Sequence, residues 1–106
     1  MREVDLDTFA TAHADGAVVI DVREPYEYVT GHVPGARLVP LGQLPLQVGD
    51  LPRNGRVYVI CATGNRSLAA VDFLMRAGVT ASSVTGGTSG WQRAGRPVVR
   101  GNRVGA

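Results

Sequence analysis

Lysine is absent from the 106-residue chain, so all 11 cations are arginine and no lysine nucleophile is available. Cysteine is nearly absent too. With 1 Cys, an intramolecular disulfide is excluded, and an oxidised or sulfur-loaded thiol has no resolving partner within the chain. That cysteine and 2 His, without paired spacing, do not make a metal site, and no cofactor is expected. The formal charge is only +2, and the arginines are spread along the chain without a dense basic run. Nucleic acid is therefore not an expected partner. No apolar run approaches the ~20 residues of a membrane span, and the N-terminus lacks a charged stretch followed by an apolar one. A membrane partner is not expected either, and the default setting is cytoplasmic. What remains is 44% hydrophobic residues in a chain of one-domain length, which can bury roughly two-thirds of its unfolded surface.

Apolar and polar periods alternate along the chain. Arg2 to Asp5 reads as a short edge strand, and Asp5 or Asp7 as the cap of a helix through Phe9 and Ala12 that stops near Gly16. Ala17 to Val22 is an apolar run of the buried-strand type. Glu24 to Val29 reads as a short helix, with Pro25 in its first turn and Gly31 beyond its end. A strand is expected at Ala36 to Val39, followed by an amphipathic stretch from Leu41 to Leu51 broken by proline and glycine. Arg56 to Ile60 is β-branched and aromatic, and Ser67 to Gly78 has helical spacing with a glycine stop. The last strand is expected at Ala81 to Val84. Gly86, Gly87 and Gly90 then mark a turn before a short helix around Trp91 to Arg93. Short apolar strands separated by helices predict an α/β domain: a mostly parallel sheet with helices on both faces. Ligands of such sheets bind beyond the carboxyl ends of the strands, where Asp21 and Cys61 both fall.

Cys61 stands at the turn between a strand and a helix, followed by Ala62, Thr63, Gly64, Asn65, Arg66 and Ser67. Small, donor-rich residues in a tight loop let successive backbone N–H groups point inward, and the following helix offers its positive end to the same space. An anion is favoured there. A free thiol of pKa ~8.5 is mostly protonated at neutral pH, and such surroundings lower it by ~1 to 5 units. Arg66 adds a fixed charge and a planar donor fork, while Thr63, Asn65 and Ser67 carry side-chain donors. The competing reading, a cysteine that merely fills the core after an apolar strand, leaves the Gly-Asn-Arg-Ser turn without a purpose.

Three segments together resemble the rhodanese family of sulfurtransferase domains. Asp21-Val22-Arg23-Glu24 with Glu27-Tyr28, then Gly31-His32-Val33-Pro34-Gly35-Ala36 and Val39-Pro40, resembles the first family signature. Cys61 to Ser67 resembles the active-site loop, and Gly86-Gly87-Thr88-Ser89-Gly90-Trp91 the final signature. They occur in family order and cover residues 1–97, leaving 98–106 as a Gly- and Arg-rich tail expected to be loosely held. The resemblance implies a five-stranded, mostly parallel sheet. It also implies that Cys61 takes the outer sulfur of thiosulfate or a persulfide and yields it to a thiol, cyanide or a sulfur-relay protein. The N–H groups of Ala62 to Arg66 would cradle that sulfur, and Arg66 would help hold a sulfonate-like donor.

Phosphatases that resemble this family carry five residues between cysteine and arginine, whereas four intervene here: Ala62, Thr63, Gly64 and Asn65. The smaller ring points to sulfur, with phosphatase or arsenate reductase chemistry and a non-enzymatic sulfur-carrier module as the alternatives. Ala62 stands where many active members carry a polar residue, which bears on the donor more than on reactivity. Asp21 and Arg23 are supporting candidates, expected as an ion pair, with Arg23 the better placed of the two to face a donor anion. His32 reads as a structural residue of a turn, His13 as a solvated cation at a helix end, and Trp91 as scaffold over the sheet end near the loop.

Overall fold

The computed structural model describes residues 2–105. Five strands, β1 (Glu3–Val4), β2 (Val18–Asp21), β3 (Arg37–Leu38), β4 (Val57–Ile60) and β5 (Ala81–Val84), form one sheet in the order β1-β5-β4-β2-β3. Every pairing is parallel, so the sheet is entirely rather than mostly parallel. The three longer strands lie in the middle, and the two-residue strands close the edges. This order follows from composition. Val18-Val19-Ile20 and Val57-Tyr58-Val59-Ile60 are β-branched and aromatic runs that fit a sheet buried on both faces.

Helices cover both faces. On one, α4 (Asn65–Arg76) buries Ser67, Ala70, Val71 and Leu74, an i, i+3, i+4, i+7 stripe. It packs with Val57, Val59, Cys61 and Ala81, together with Leu44 and Leu51 from the 41–51 segment. That segment is a 3-10 turn, then α3 (Leu44–Gln47), then another 3-10 turn. On the other face α1 (Leu6–Ala14), capped by the Asp5 carboxylate accepting from Thr8 N–H, joins α5 (Gly87–Arg93) over Val19, Ile60 and Val84. Among the described residues no helix is long and apolar enough to cross a membrane.

Several elements differ from what composition suggests. Helix α4 starts at Asn65, two residues ahead of Ser67, because Gly64 at φ 115° turns the chain directly into it. Helix α5 starts inside the double glycine rather than near Trp91, with Gly86 at φ 82° as its cap. Trp91 packs edge-on against Phe9 and His13 on the α1 face and donates Nε1–H to the Pro97 carbonyl. His13 is consequently half-buried scaffold, with Nε2 at 2.6 Å from the Pro34 carbonyl, and not a solvated helix end.

Residues 98–104 are tied down rather than loose. Val99 bridges His32 in antiparallel fashion, Gly101 N–H donates to the Val29 carbonyl, and Gly35 N–H donates to the Val104 carbonyl. His32, wholly buried, stacks on Tyr28 and sets its two ring nitrogens against the Tyr28 and Arg103 carbonyls. The turn segment around His32 is thereby structural, as its composition suggests, and it anchors the tail as well.

Candidate active site

Strand order reverses between β2 and β4, and their carboxyl ends are in register, Asp21 beside Ile60. Such a reversal opens a crevice at the strand ends. The segment after β2, which runs into α2 (Pro25–Tyr28), and the loop from Cys61 into α4 both leave the sheet there.

The loop wraps its own sulfur. Gly64 N–H donates to Cys61 Sγ at 3.1 Å and Ser67 N–H at 3.3 Å, while the Ser67 hydroxyl lies 3.4 Å away. Burial pushes the Cys61 thiol up, but hydrogen bonding with the Ser67 side chain and with the backbone N–H groups of Ser67, Gly64 and Thr63 outweighs it and holds the thiol below its ordinary value. Thr63 and Asn65 contribute no comparable side chain; both are exposed, and Thr63 acts through its backbone.

The aim of those N–H groups is set from behind. Thr88 N–H donates to the Cys61 carbonyl at 2.8 Å and Ser89 N–H to the Ala62 carbonyl at 3.0 Å. In a planar trans peptide the carbonyl and the next N–H point in opposite directions. Holding those two carbonyls against the start of α5 therefore turns the Ala62 and Thr63 N–H groups away from α5. Gly87 makes this approach possible: at φ 59°, a Cβ there would stand 2.5 Å from the Cys61 carbonyl oxygen and 2.6 Å from that of Ala62. Thr88, Ser89 and the close approach of Gly87 are not legible in the sequence as site features, since a double glycine signals only a turn.

Arg66 does not present a free guanidinium. It is bidentate with Glu27, at 2.7 and 2.8 Å, which joins α4 to α2. Glu27 Oε1 also accepts from Glu24 N–H, so one carboxylate closes the cap of α2 and neutralises the loop arginine. In the sequence Glu27 belongs to the first signature without a role of its own, and the one sign of its capping function is the spacing of an acid three residues after Glu24. Arg66 holds Glu27 down to about 2, from an ordinary 4.5, and Glu27 with the nearby Cys61 raises Arg66. A depressed carboxylate stabilises the fold fully above its ordinary value, and that contribution is lost as pH falls from 4.5 toward 2. With the Arg66 side chain 37% exposed, solvent screening leaves the pair about 1 kcal/mol. Acid unfolding of wild type against Glu27→Gln should show this: the variant is less stable at pH 7, and the gap narrows below pH 4.5 and closes at about pH 2. A gap that does not change with pH would mean that the loss does not come from the ionised pair.

Asp21 and Arg23 form the expected ion pair, but it is buried. Arg23 donates Nε–H and Nη2–H to the Asp21 carboxylate at 2.8 to 3.1 Å, and Nη2–H also to the Gly31 carbonyl. Only 5% exposed, Arg23 braces the turn after α2 and does not face the crevice as a free donor. Around the sulfur, Ser67 has a neighbour that no motif in the sequence marks, Ser83 of β5, with the two hydroxyl oxygens 2.6 Å apart.

A parallel α/β domain with a cysteine whose sulfur is ringed by donors at its strand ends defines a class of anion-holding thiol proteins. The chain belongs to the rhodanese-like domain family, whose model matches residues 5–94. A sulfurtransferase of Allochromatium vinosum is 29% identical over 93% of this chain and 95% of its own length. A candidate sulfur carrier protein of Bacillus subtilis is 37% identical over 57% of this chain, which spans only 32% of that protein. Among solved structures, a rhodanese-related protein of Thermoplasma volcanium superimposes with a TM-score of 0.87 at 35% identity, covering 93% of this chain and 98% of that one.

Proposed function

We propose that the protein is a sulfurtransferase that carries a sulfane sulfur on Cys61 as a persulfide. The observation that carries this reading is the convergence of the Gly64 and Ser67 N–H groups and the Ser67 hydroxyl on one buried sulfur. The Cys61 thiolate attacks the outer sulfur of a donor, and the donor's S–S bond breaks with its electron pair leaving on sulfite or on a thiolate. The resulting Cys61 persulfide is anionic at its outer sulfur, where the same donors can hold it. An acceptor thiolate, or cyanide, then attacks that outer sulfur, and Cys61 departs as the thiolate it began as. Two half-reactions of this kind give ping-pong kinetics.

The engagement of Arg66 by Glu27 bears on the donor. With its two terminal nitrogens engaged by Glu27, Arg66 brings little net charge to the mouth of the loop, which favours a persulfide over the dianion thiosulfate. Ala62, which adds no polar side chain to the loop, points the same way. A cytoplasmic, reducing setting fits a lone thiol that must discharge to an external acceptor. The second reading, a carrier module loaded by a partner and slow with small molecules, is favoured by the similarity to the Bacillus subtilis candidate carrier.

Intact-protein mass spectrometry after incubation with thiosulfate, polysulfide and a persulfidated protein tests both. A gain of about 32 Da, one sulfur added to a thiolate, is expected, and no gain with any donor would refute the proposal. Loading without steady-state thiocyanate formation from cyanide would assign the carrier role.

A further inference from the structure

Ser83 stands where packing by itself calls for an apolar side chain. On β5 it shares a face with Ala81 by the two-residue period, and Ala81 lies in the apolar cluster beneath α4. Ser83 is 1% exposed. A hydroxyl buried in such a place is costly unless paired, and its partner is Ser67 Oγ at 2.6 Å.

Ser67 has one proton and three polar neighbours. The Gly64 carbonyl is 3.1 Å away, Ser83 Oγ 2.6 Å and Cys61 Sγ 3.4 Å. While Cys61 is a thiol, its S–H can donate to Ser67 Oγ and the Ser67 proton is free for the carbonyl or for Ser83. Once the thiol has released its proton to solvent, the sulfur can only accept, and it competes for that single Ser67 proton. We propose that Ser83 is a positioning residue for Cys61: its hydroxyl donates to Ser67 Oγ and thereby commits the Ser67 proton to the anionic sulfur. Two hydroxyl rotations accomplish this, and no bond to carbon or sulfur changes. The chain Ser83 O–H to Ser67 O–H to sulfur is cooperative, each bond polarising the next.

The proposal rests on reading Cys61 as the nucleophile, not on the identity of the sulfur donor. The charged and titratable groups around the site are Arg66 from α4, paired with Glu27 and near Tyr26 of α2, the buried Asp21–Arg23 pair at the end of β2, and Glu3 of β1, the register partner of Ser83. A shift in thiol ionisation that appears only when Ser67 is present therefore reports on the hydroxyl chain and not on a neighbouring charge.

The experiment is the pH dependence of Cys61 alkylation by iodoacetamide in wild type, Ser83→Ala, Ser83→Thr, Ser67→Ala and the Ser67→Ala/Ser83→Ala double variant. Ser83→Ala should raise the midpoint by about 0.5 to 1 pH unit, the worth of one net hydrogen bond. Ser83→Thr, which keeps the hydroxyl, should stay with wild type. In the Ser67→Ala background, loss of Ser83 should add no further shift. Ser83→Val fills the volume without a hydroxyl and carries the same expectation as alanine if the smaller residue unfolds the domain. An unshifted Ser83→Ala profile, a threonine profile that follows alanine, or a shift that persists without Ser67 would each overturn the proposal. Alkylation needs no sulfur donor. A shift seen in a protein that never gains sulfur would therefore sink the sulfurtransferase reading and leave this one standing.

Discussion

Cys61→Ser is expected to abolish sulfur loading, with the gain of about 32 Da on incubation with donors falling below detection, a loss of at least ~10³-fold in rate. The reason is ionisation and softness rather than shape. The N–H groups of Gly64 and Ser67 that donate to the sulfur can donate to an oxygen at the same place. An aliphatic hydroxyl, however, stays protonated across the whole working pH range, and oxygen forms no stable counterpart of a persulfide. The fold should barely notice, because a buried thiol replaced by a hydroxyl with donors already aimed at it costs about 1 kcal/mol or less. Paired measurements check this: intact mass for loading and thermal melting for stability. Residual loading in the variant would put the acceptor sulfur somewhere other than this chain's cysteine and remove the site from Cys61.

The parts legible in the sequence are those decided within a few residues. Val57 to Ile60 and the 67-70-71-74 stripe of α4 carry their periods openly, and the strand-to-helix turn at Cys61 follows from the two together. What is not legible depends on partners distant along the chain. Glu27 and Arg66 are 39 positions apart, and nothing in the capping pattern of α2 says that its acid also pairs across the crevice. Ser83 is a small residue in a short strand until Ser67, 16 positions earlier, is seen to face it. The tail from Val98 looks loose by composition, yet Arg103 closes on His32, 71 positions away. Arg23 shows the opposite error. Its ion pair with Asp21, two residues away, is foreseeable, but full burial is not, and burial is what withdraws it from the crevice.

Gly87→Ala is expected to cost the domain about 2 to 4 kcal/mol and to slow sulfur loading by ~10²-fold or more. Two effects add. At φ 59° an alanine sits in the left-handed region, which is unfavourable by about 1 kcal/mol or more. Its Cβ would also meet the Cys61 and Ala62 carbonyl oxygens at 2.5 and 2.6 Å, and those are backbone atoms that cannot rotate aside. Relief requires α5 to withdraw from the loop. Withdrawal breaks the bonds from Thr88 and Ser89 N–H, and the peptides they hold then turn their own N–H groups out of aim. Gly95 supplies the control, because it has a similar φ of 77° and no atom within 4 Å of the place a Cβ would take. Gly95→Ala should carry only the conformational cost, about 1 kcal/mol, and load sulfur at the wild-type rate. Melting temperatures and single-turnover loading of the two variants separate strain from close approach. If Gly87→Ala loads as fast as Gly95→Ala, the start of α5 does not set the aim of the loop, and Cys61 must owe its donors to Gly64 and Ser67 alone.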